Sequence, residues 1–422
     1  MSSGGFNLQQ EVTQQSTSEM KSVEQTTCCI VGGGPAGAVL ALLLARKDIP
    51  VMLLEEHMDF DRDFRGDTIH PSTMEIMSEL GLADRLLQLD HTKAYVLPVQ
   101  TAKGTVTFAD FRHLKTHYPY ITLIPQVRFL EFITTEAKRY PNFQVVMGAR
   151  VEKLIVEDGY VHGVQYRGQD GWHEVRAILT VGADGRFSRV RKLAGFEPIK
   201  TAPPMDVLWF RLPRKPGDAN ESGGRLGSGH IVVMLNRADY WQMGYVIPKG
   251  GYQEIKAAGL EKLRQDIAAI LPEFADRMDA IQEWKQVSVL SVESSRVPRW
   301  YRPGLLLIGD AAHVMSPVAG VGINYAIQDA VAAANVLGDE LKEGKVRSSD
   351  LAKVQRKRER PTRMIQALQG FIQQGAVANV LKSKQPPVIP PFLLFLFSLP
   401  LLRTIPARLV GFGFGFEHVK RP

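Results

Sequence analysis

Cysteine is nearly absent from this chain of 422 residues. Its two cysteines, Cys28 and Cys29, are neighbours in an apolar run, so they cannot build a metal cage or a framework of several disulfides. The histidines, among them His70, His113 and His230, show no metal-ligand spacing with cysteine or acidic residues. The sequence therefore predicts no metal site, and nothing in it requires an oxidising compartment.

Export signals and membrane spans are also lacking. Residues 1–25 are rich in Ser, Gln, Thr and Glu and have no apolar signal-peptide core, which predicts a disordered tail on a cytoplasmic protein. Residues 386–402 are apolar except for Ser398, but the stretch has 17 residues and five prolines, whereas a spanning helix needs roughly 20 apolar residues. It favours core packing or a tunnel wall, with peripheral contact to a membrane surface as the alternative.

Charge of one sign does not dominate either. The 51 Lys and Arg residues and the 44 Asp and Glu residues leave a formal net charge of +7. The densest basic run is interrupted by Pro361 and has no nucleic-acid fold signature, so we expect a solvated helix face and no nucleic-acid partner. This run consists of Lys353, Arg356, Lys357, Arg358, Arg360 and Arg363. No nucleophile elbow, P-loop or kinase signature is present, which leaves hydrolase and phosphotransfer functions without support.

What the chain does contain is an ordinary globular composition, 45% hydrophobic and 23% charged, at a length typical of two or three domains. Helices alternate with strands in the residues before 201 and after 292, which predicts an α/β domain. Strand-like segments dominate residues 201–292. The middle stretch is therefore predicted to be a β-rich domain inserted into a discontinuous α/β domain.

A glycine-rich turn, residues 32–37 (GGGPAG), joins the first predicted strand to the first predicted helix. The strand covers residues 26–31, the helix residues 35–45, and a second strand over residues 50–54 completes a βαβ unit. A G-x-G-x-x-G motif in this context is the fingerprint of a dinucleotide pyrophosphate site. The free N–H groups and the positive dipole end of the helix would attract the phosphates.

Each glycine of the fingerprint has a physical role. Gly32 permits the tight turn, Gly34 lets the backbone approach the pyrophosphate, and Gly37 allows the helix to pack closely on the strand. Glu55 and Glu56 end the second strand, and Glu55 lies where a carboxylate can accept both ribose hydroxyls of an adenosine. The sequence predicts dinucleotide binding, with NAD and FAD both open at this point.

Two further motifs follow later strands. Residues 181–191 (VGADGRFSRVR) lead from a strand into a helix, and residues 307–313 (LIGDAAH) precede Pro317 and the loop 320–324 (GVGIN). Together with the glycine-rich turn, they resemble the motif set of the group A flavoprotein monooxygenases, the FAD-dependent aromatic hydroxylases of the p-hydroxybenzoate hydroxylase type. The resemblance covers residues 26–340 and favours FAD as the bound dinucleotide.

This resemblance implies an α/β fold with a Rossmann-like FAD-binding domain of that type, an inserted β-rich substrate domain and a C-terminal helical region. The sequence contains no second Rossmann fingerprint that could bind NAD(P)H. We therefore expect NAD(P)H to bind transiently over the flavin. The predicted bounds are 1–25 for the disordered tail, 26–93, 119–200 and 290–340 for the FAD-binding domain, 94–118 and 201–289 for the substrate domain, and 341–422 for the C-terminal helical and apolar segment.

The resemblance also implies a set of cofactor contacts. Asp310 would hydrogen-bond the ribityl chain, and Asp184 of the Asp-Gly motif would serve both FAD and NAD(P)H. The helix that starts near Gly322 would direct its N–H groups at the flavin N1 and O2 edge. The residues expected to contact FAD are Gly32, Gly34, Pro35, Ala36, Gly37, Glu55, Glu56, Arg65, Gln126, Arg128, Asp184, Gly309, Asp310, Gly322, Ile323 and Asn324.

Several of these assignments have alternatives. Arg65 could instead pair with a neighbouring aspartate at the surface, and Gln126 could be an ordinary polar residue at a helix N-terminus. Arg128 would reach the phosphates. His313 fits a structural hydrogen bond near FAD better than a general base, so the sequence assigns no general base.

The implied active site combines a loop with the middle domain. The loop residues that would face the flavin are Pro317, Gly320, Gly322 and Asn324. The candidates for lining the substrate cavity are Trp209, Arg211, Met234 and Tyr245, each with core or surface packing as its alternative.

The implied reaction is aromatic hydroxylation. NAD(P)H would reduce FAD, O2 would add at flavin C4a to give a hydroperoxide, and its distal oxygen would pass to the substrate ring. The apolar segments favour a lipophilic aromatic substrate of polyketide or quinone type. The alternatives are a flavin-dependent reductase or dehydrogenase of isoprenoid-type substrates, a flavin halogenase, whose Trp-x-Trp-x-Ile-Pro signature is lacking, and a non-catalytic flavoprotein scaffold.

Overall fold

Two large β-sheets, two small three-stranded sheets and the helices that cover them form the part of the chain that the structure describes. The computed structural model describes residues 20–61, 68–383, 385, 392 and 399–420. Helices α1 to α11 are Pro35–Ala45, Pro71–Glu79, Ala83–Leu86, Gln126–Ala137, Arg189–Leu193, Tyr252–Ala258, Leu260–Ile270, Gly322–Lys342, Ser348–Ile372, Ala378–Lys382 and Pro400–Phe412. Strands β1 to β21 are Met20–Val31, Val51–Glu55, Thr68–Ile69, Thr92–Ala94, Val96–Thr101, Gly104–Asp110, Ile121–Leu123, Phe143–Met147, Arg150–Glu157, Tyr160–Arg167, Trp172–Gly182, Ile199–Thr201, Met205–Pro213, Gly223–Gly227, His230–Asn236, Tyr240–Pro248, Ser288–Leu290, Ser294–Arg296, Tyr301–Arg302, Leu305–Leu307 and His313–Val314.

The eight-stranded sheet has a parallel centre. β1 lies between β11 and β2, β8 pairs with β2, and β20 pairs with β11, all in parallel. α1 is apolar on all sides and is buried against α8 and α4, as expected for a crossover helix that covers a parallel sheet. Because the strands are parallel, the carboxyl ends of β1, β2, β11 and β20 meet at one edge, and the three sequence motifs follow these ends.

β1 is longer than the sequence predicted. The strand begins at Met20 instead of Thr26, and its first residues pair with Trp172–Arg176 of β11 while their side chains stay exposed or half-exposed. The prediction of a disordered tail is therefore wrong for residues 20–25. Backbone hydrogen bonds to β11 hold this polar segment in the sheet, and composition does not report such bonds. Residues 1–19 lie outside the described residues.

The seven-stranded sheet draws its strands from two separate stretches of chain. β5 and β6 pair with β14, and β13 to β17 supply the rest. Residues paired across β13, β16 and β15 share a face of the sheet. We call the face that carries Leu208 and Met243 the outer face, because α7 and a 3-10 helix cover it. The inner face carries Val207 and Trp209 and packs against Val318.

The C-terminal helices pack on both parts of the molecule. α9 lies against α8 and ends in a π-helical turn over Gln373–Val377, while α11 lies against β6 and α2. Within the described ranges, no helix combines the length and the apolar character that crossing a bilayer requires. Most of the apolar stretch 386–402 lies outside the described residues, so its contact with a membrane surface stays a prediction.

Candidate cofactor and active site

The glycine-rich turn leaves an open cradle at the start of α1. Gly32 has φ +106°, and a Cβ on it would lie 2.5 Å from the Ala183 carbonyl oxygen. A Cβ on Gly37 would lie 1.9 Å from the Gly32 oxygen. A Cβ on Gly34, in contrast, would have no atom within 4 Å, and no side chain caps α1, which starts at Pro35. The first N–H groups of α1 therefore face open space.

The two glutamates at the end of β2 diverge. The buried Glu55 carboxylate accepts hydrogen bonds from the Gly33 N–H at 2.8 Å, through Oε2, and from the His57 N–H at 2.9 Å, through Oε1. Glu56 is exposed and its carboxylate pairs with Arg150 at 3.2 Å. Because successive strand residues point in opposite directions, the structure places Glu55 beside the turn and Glu56 at the surface, which speaks against Glu56 as a cofactor ligand.

The Asp-Gly motif is held as a capped turn beside Gly32. Asp184 accepts hydrogen bonds from the Ser188 hydroxyl at 2.5 Å and from the Val190 N–H at 2.9 Å, at the start of α5. Burial raises the pKa of the Asp184 carboxyl above its usual value, against the opposing effect of these bonds. The structure thus shows Asp184 organising its own turn, and its contacts to FAD and NAD(P)H remain proposals.

Arg191 joins the second motif to the third. Its Nη1 donates to the Ala311 carbonyl at 3.0 Å and to the Asp310 carbonyl at 3.4 Å. A Cβ on Gly309 would lie 3.1 Å from the Cβ of Ala36, so the Gly-Asp turn also touches the first turn of α1. The structure therefore brings all three motifs together at one end of the parallel strands.

The loop before α8, residues 316–321, has an unusual backbone. Pro317 precedes a short 3-10 helix in which Ala319 and Gly320 both have positive φ, +64° and +63°. A Cβ on Gly320 would lie 2.8 Å from the Thr68 hydroxyl. α8 begins at Gly322 without a capping side chain, which leaves its first N–H groups available to a ligand.

The side chain of Asn324, which was predicted to contact the flavin, bonds other parts of the protein. Its Oδ1 accepts hydrogen bonds from the His70 N–H at 3.0 Å and from the Thr73 hydroxyl at 2.7 Å, and its Nδ2 donates to the Thr68 carbonyl at 3.4 Å. The buried side chain thus ties α8 to the segment 68–73, so any flavin contact would come from backbone N–H groups. Ile323 is partly buried against the main core.

Three further residues were expected to contact FAD: Arg128, Gln126 and Arg65. Arg128 is exposed on α4 and pairs with Glu131 at 3.4 Å, so its contact with the phosphates stays a prediction. Gln126 is the first residue of α4 and is half-buried. Arg65 lies outside the described residues.

Strand pairing separates the four substrate candidates. Trp209 and Arg211 lie on the inner face, which packs against Val318, and the exposed Arg211 guanidinium lies 4.9 Å from the Tyr240 ring centre. Met234 and Tyr245 lie on the outer face within the buried core under α7. The prediction that these two line the cavity is therefore wrong. Both faces of this sheet are apolar, so the sequence alternation does not tell which one faces the loop.

A buried charge cluster behind the third motif was missed by sequence reasoning. Asp329 accepts hydrogen bonds from the Gly309 N–H at 3.0 Å, His313 Nε2 at 2.5 Å and Arg358 Nε at 2.9 Å. Asp329 and Arg358 are fully buried. Although burial raises the pKa of the Asp329 carboxyl, His313 and Arg358 hold that pKa below its usual value.

Two residues of this cluster, His313 and Arg358, had roles predicted from the sequence. His313 makes a structural hydrogen bond, as the sequence favoured. Arg358 is not part of a solvated helix face, because it lies in a buried stripe of α9. The signal was present in the spacing of the buried residues of this stripe, Leu351, Val354, Arg358, Pro361, Ile365 and Gln369.

Comparison with known proteins settles the family. A family model described as FAD binding domain matches residues 25–367. The 6-methylpretetramide 4-monooxygenase of Streptomyces rimosus is 35% identical over 360 residues, which cover 83% of this chain and 85% of that protein. The chain belongs to the FAD-dependent monooxygenases. The predicted family, the predicted enzyme class and FAD as cofactor are thereby confirmed.

Two further similarities agree with membership of the monooxygenase family. The 12-dehydrotetracycline 5-monooxygenase/anhydrotetracycline 6-monooxygenase of Streptomyces rimosus is 27% identical over 318 residues, 71% of this chain and 59% of that protein. The crystal structure of P. aeruginosa PqsL in complex with 2-aminobenzoylacetate superposes with a TM-score of 0.73 at 21% identity, over 85% of this chain and 97% of that chain. The latter confirms the predicted fold class.

The residues of this monooxygenase fit FAD. The open space at Gly34 and the uncapped start of α1 suit a pyrophosphate, and the buried Glu55 lies beside them. The uncapped start of α8 lies beyond Gly309, which contacts both helices. Among the described residues, no group of three His, Cys, Asp or Glu side chains could hold a metal ion.

His70 lies between the loop of this monooxygenase and its C-terminal helix. Its Nδ1 donates to the Val410 carbonyl of α11 at 2.7 Å, and its buried Nε2 has no hydrogen-bond partner among the described residues. Burial lowers the pKa of His70 from 6.5 to about 4. The imidazole is therefore neutral in the folded monooxygenase at neutral pH.

We expect the free energy of unfolding of the apoprotein to fall by about 3 kcal/mol as the pH drops from 6.5 to about 4 because of His70. In this range the unfolded chain binds a proton at His70 and the folded chain does not, so acid favours unfolding. Denaturant titrations at several pH values measure the loss. His70→Asn should show a weaker pH dependence, and an unchanged dependence would contradict this assignment.

Proposed function

We propose that this monooxygenase hydroxylates a polycyclic aromatic, polyketide-type substrate that binds between the inner face of the seven-stranded sheet and the loop 316–321. The observation that carries the proposal is the apolar character of that face. Ile231, Val233 and Leu235 of β15 lie on it and are half-exposed, although they belong to a central strand. Half-exposed aliphatic side chains opposite a loop are typical of a ligand-binding surface.

We assign the main substrate contact on this face to Trp209. It pairs with Gly244, which pairs in turn with Val233. A Cβ on Gly244 would come within 2.8 Å of the indole ring, so the missing side chain lets the ring lie across the neighbouring strand. Its Nε1 is buried and has no hydrogen-bond partner among the described residues, so we expect the substrate to contact the accessible part of the indole ring and not this donor.

The motif residues would hold the cofactor by backbone groups and by the two carboxylates of Glu55 and Asp310. We assign the pyrophosphate to the start of α1 at Gly34, the adenosine ribose to Glu55, and the ribityl chain to Asp310. The N-terminus of α8 at Gly322 would stabilise negative charge at the edge of the flavin. When bound, FAD supplies the redox chemistry, taking hydride from NAD(P)H and activating O2 for transfer to the ring.

The chain's own contribution to the reaction would be to exclude water and to hold the ring in place. Val318 of the loop packs in one apolar cluster with Trp209 and with Val377 and Leu381 from the C-terminal helices. Such a lining keeps water from the reacting atoms and fixes the substrate ring against the loop.

The names of the similar proteins support this substrate class. The relative that is 35% identical is a 6-methylpretetramide 4-monooxygenase, and the one that is 27% identical acts in the tetracycline series by its name. A lipophilic polyketide suits an apolar inner face better than a small polar acid does.

The decisive experiment measures NAD(P)H oxidation, O2 uptake and product by the FAD-loaded protein with tetracyclic aromatic polyketides and with a small aromatic acid. We expect substrate-stimulated O2 uptake and one oxygen from isotopically labelled O2 in the polyketide product. Trp209→Ala should raise KM for the polyketide roughly tenfold or more, whereas Met234→Ala, on the outer face, should leave KM unchanged. NAD(P)H oxidation without O2 uptake would indicate a reductase instead.

A further inference from the structure

Three glutamines of α9 and its π-helical end donate hydrogen bonds to the loop 316–321 and to the strands that precede it. The Gln366 side-chain amide donates to the carbonyls of Ser295 at 2.9 Å and Val314 at 3.0 Å. The Gln369 amide donates to the carbonyls of Ser316 at 3.0 Å and Val318 at 2.8 Å. Gln373 donates to the Ser316 hydroxyl. Only Gln369 bridges backbone carbonyls within the loop itself.

The loop needs such a side chain because its backbone supplies few bonds of its own. Pro317, between the two bridged carbonyls, has no N–H to donate. Ala319 has the left-handed φ of +64°, a conformation that persists in a non-glycine residue only when the surroundings enforce it. The Gln369 amide bridges the carbonyls of Ser316 and Val318, three and one positions before this residue, so it restrains the loop just ahead of α8.

Because the Gln369 side chain is buried, water cannot replace the two hydrogen bonds that its amide donates. The side chain is 3% exposed, and its Oε1 has no hydrogen-bond partner among the described residues. The orientation of the amide therefore depends on its two donated bonds. A carboxylate at this position would face two carbonyl oxygens, and an apolar side chain would leave both of them unpaired.

We propose that Gln369 is a positioning residue for the flavin: its amide fixes the carbonyls on both sides of Pro317 and thereby sets the loop and the N-terminus of α8 against the ring. This inference rests on the proposed function, because the loop acts on catalysis only if FAD binds beside it. It gives α9, which lies outside the three FAD-binding motifs, a role in positioning the flavin. The π-helical turn after Gln369 also brings Val377 into the apolar cluster beside Val318.

The test compares Gln369→Met with Gln366→Met, which removes an equivalent pair of bonds from the same helix outside the loop. We expect both apoproteins to lose similar denaturant resistance. In Gln369→Met alone, the amides of residues 318–323 should exchange faster with solvent in the apoprotein. With FAD bound, Gln369→Met alone should shift the flavin absorbance and reduction potential and lower kcat roughly tenfold, with KM for NAD(P)H unchanged.

Gln369→Glu provides the second variant, in case the methionine variant does not fold. Burial raises the pKa of a carboxyl group, and the protonated acid can again donate to one carbonyl. The flavin absorbance of this variant should therefore return toward that of the parent as the pH falls, whereas the parent spectrum stays constant.

Two results would overturn the inference. One is that Gln369→Met and Gln366→Met give the same exchange rates and flavin spectra, which would make the contact merely structural. The other is a flavin spectrum of Gln369→Glu that matches the parent at every pH. A parent protein that takes up no FAD would instead contradict the proposed function, and it is recognised by its lack of colour before any variant is compared.

Discussion

Gly34→Asp is expected to lower the affinity for FAD roughly 100-fold or more, about 3 kcal/mol, without destabilising the apoprotein. A side chain at Gly34 meets no protein atom within 4 Å, so the folded chain accommodates it. Aspartate is also a preferred residue at a helix N-cap, the position that Gly34 occupies. Its carboxylate would then occupy the cradle and repel the pyrophosphate. Flavin fluorescence titration and denaturant unfolding of the apoprotein measure the two effects separately.

The neighbouring glycine provides the contrast. A Cβ on Gly37 would lie 1.9 Å from the Gly32 backbone oxygen, which cannot move as a side chain can. Gly37→Ala should therefore destabilise the apoprotein itself, whereas Gly34→Asp should not. If Gly34→Asp bound FAD as tightly as the parent protein, the pyrophosphate would lie elsewhere.

Arg358→Met should destabilise the protein by about 3–5 kcal/mol, the cost typical of breaking a buried ion pair by removing one partner. Arg358 and Asp329 are both fully buried, and the guanidinium also donates to the Gly415 carbonyl at 2.7 Å. Its loss leaves the Asp329 carboxylate with His313 and the Gly309 N–H as its remaining partners among the described residues. Chemical denaturation of the apoprotein gives the change in the free energy of unfolding.

Arg356→Met is the matched control for this prediction. Arg356 lies one half-turn earlier on α9 and is exposed, so its replacement should change stability by no more than about 0.5 kcal/mol. Equal effects of the two substitutions would show that the buried cluster adds nothing to stability. Weaker FAD binding by Arg358→Met is a further expectation, since Asp329 holds the Gly309 turn.

Local patterns in the sequence were sufficient for the elements that carry the first two motifs. The run of apolar residues before Gly32, the apolar helix after it and the acid at Glu55 specify one βαβ unit through contacts between near neighbours in the chain. The structure reproduces them as β1, α1 and β2. The same holds for Ser188 and Val190, which lie close to Asp184 in sequence and cap its turn.

Other parts of the site depend on long-range packing that no local pattern encodes. Both faces of the seven-stranded sheet are apolar, so the sequence could not distinguish the inner Trp209 from the outer Met234 and Tyr245. Arg358 lies among exposed basic residues and becomes buried only because α9 packs against α8 and Asp329. Residues 20–25, which are mostly polar and exposed or half-exposed, extend β1 because β11, far along the chain, supplies backbone partners.

The sequence by itself determined the family, the cofactor and the three motifs that meet at one end of the parallel strands, because glycines, caps and strand ends act over a few residues. Only the tertiary structure decided which sheet face meets the loop, and that Gln369 and Arg358 of α9 contact the loop and the Asp329 cluster behind the third motif. These contacts join residues that are tens to hundreds of positions apart. Their energies come from burial and from hydrogen bonds that exist only once the separate elements have packed.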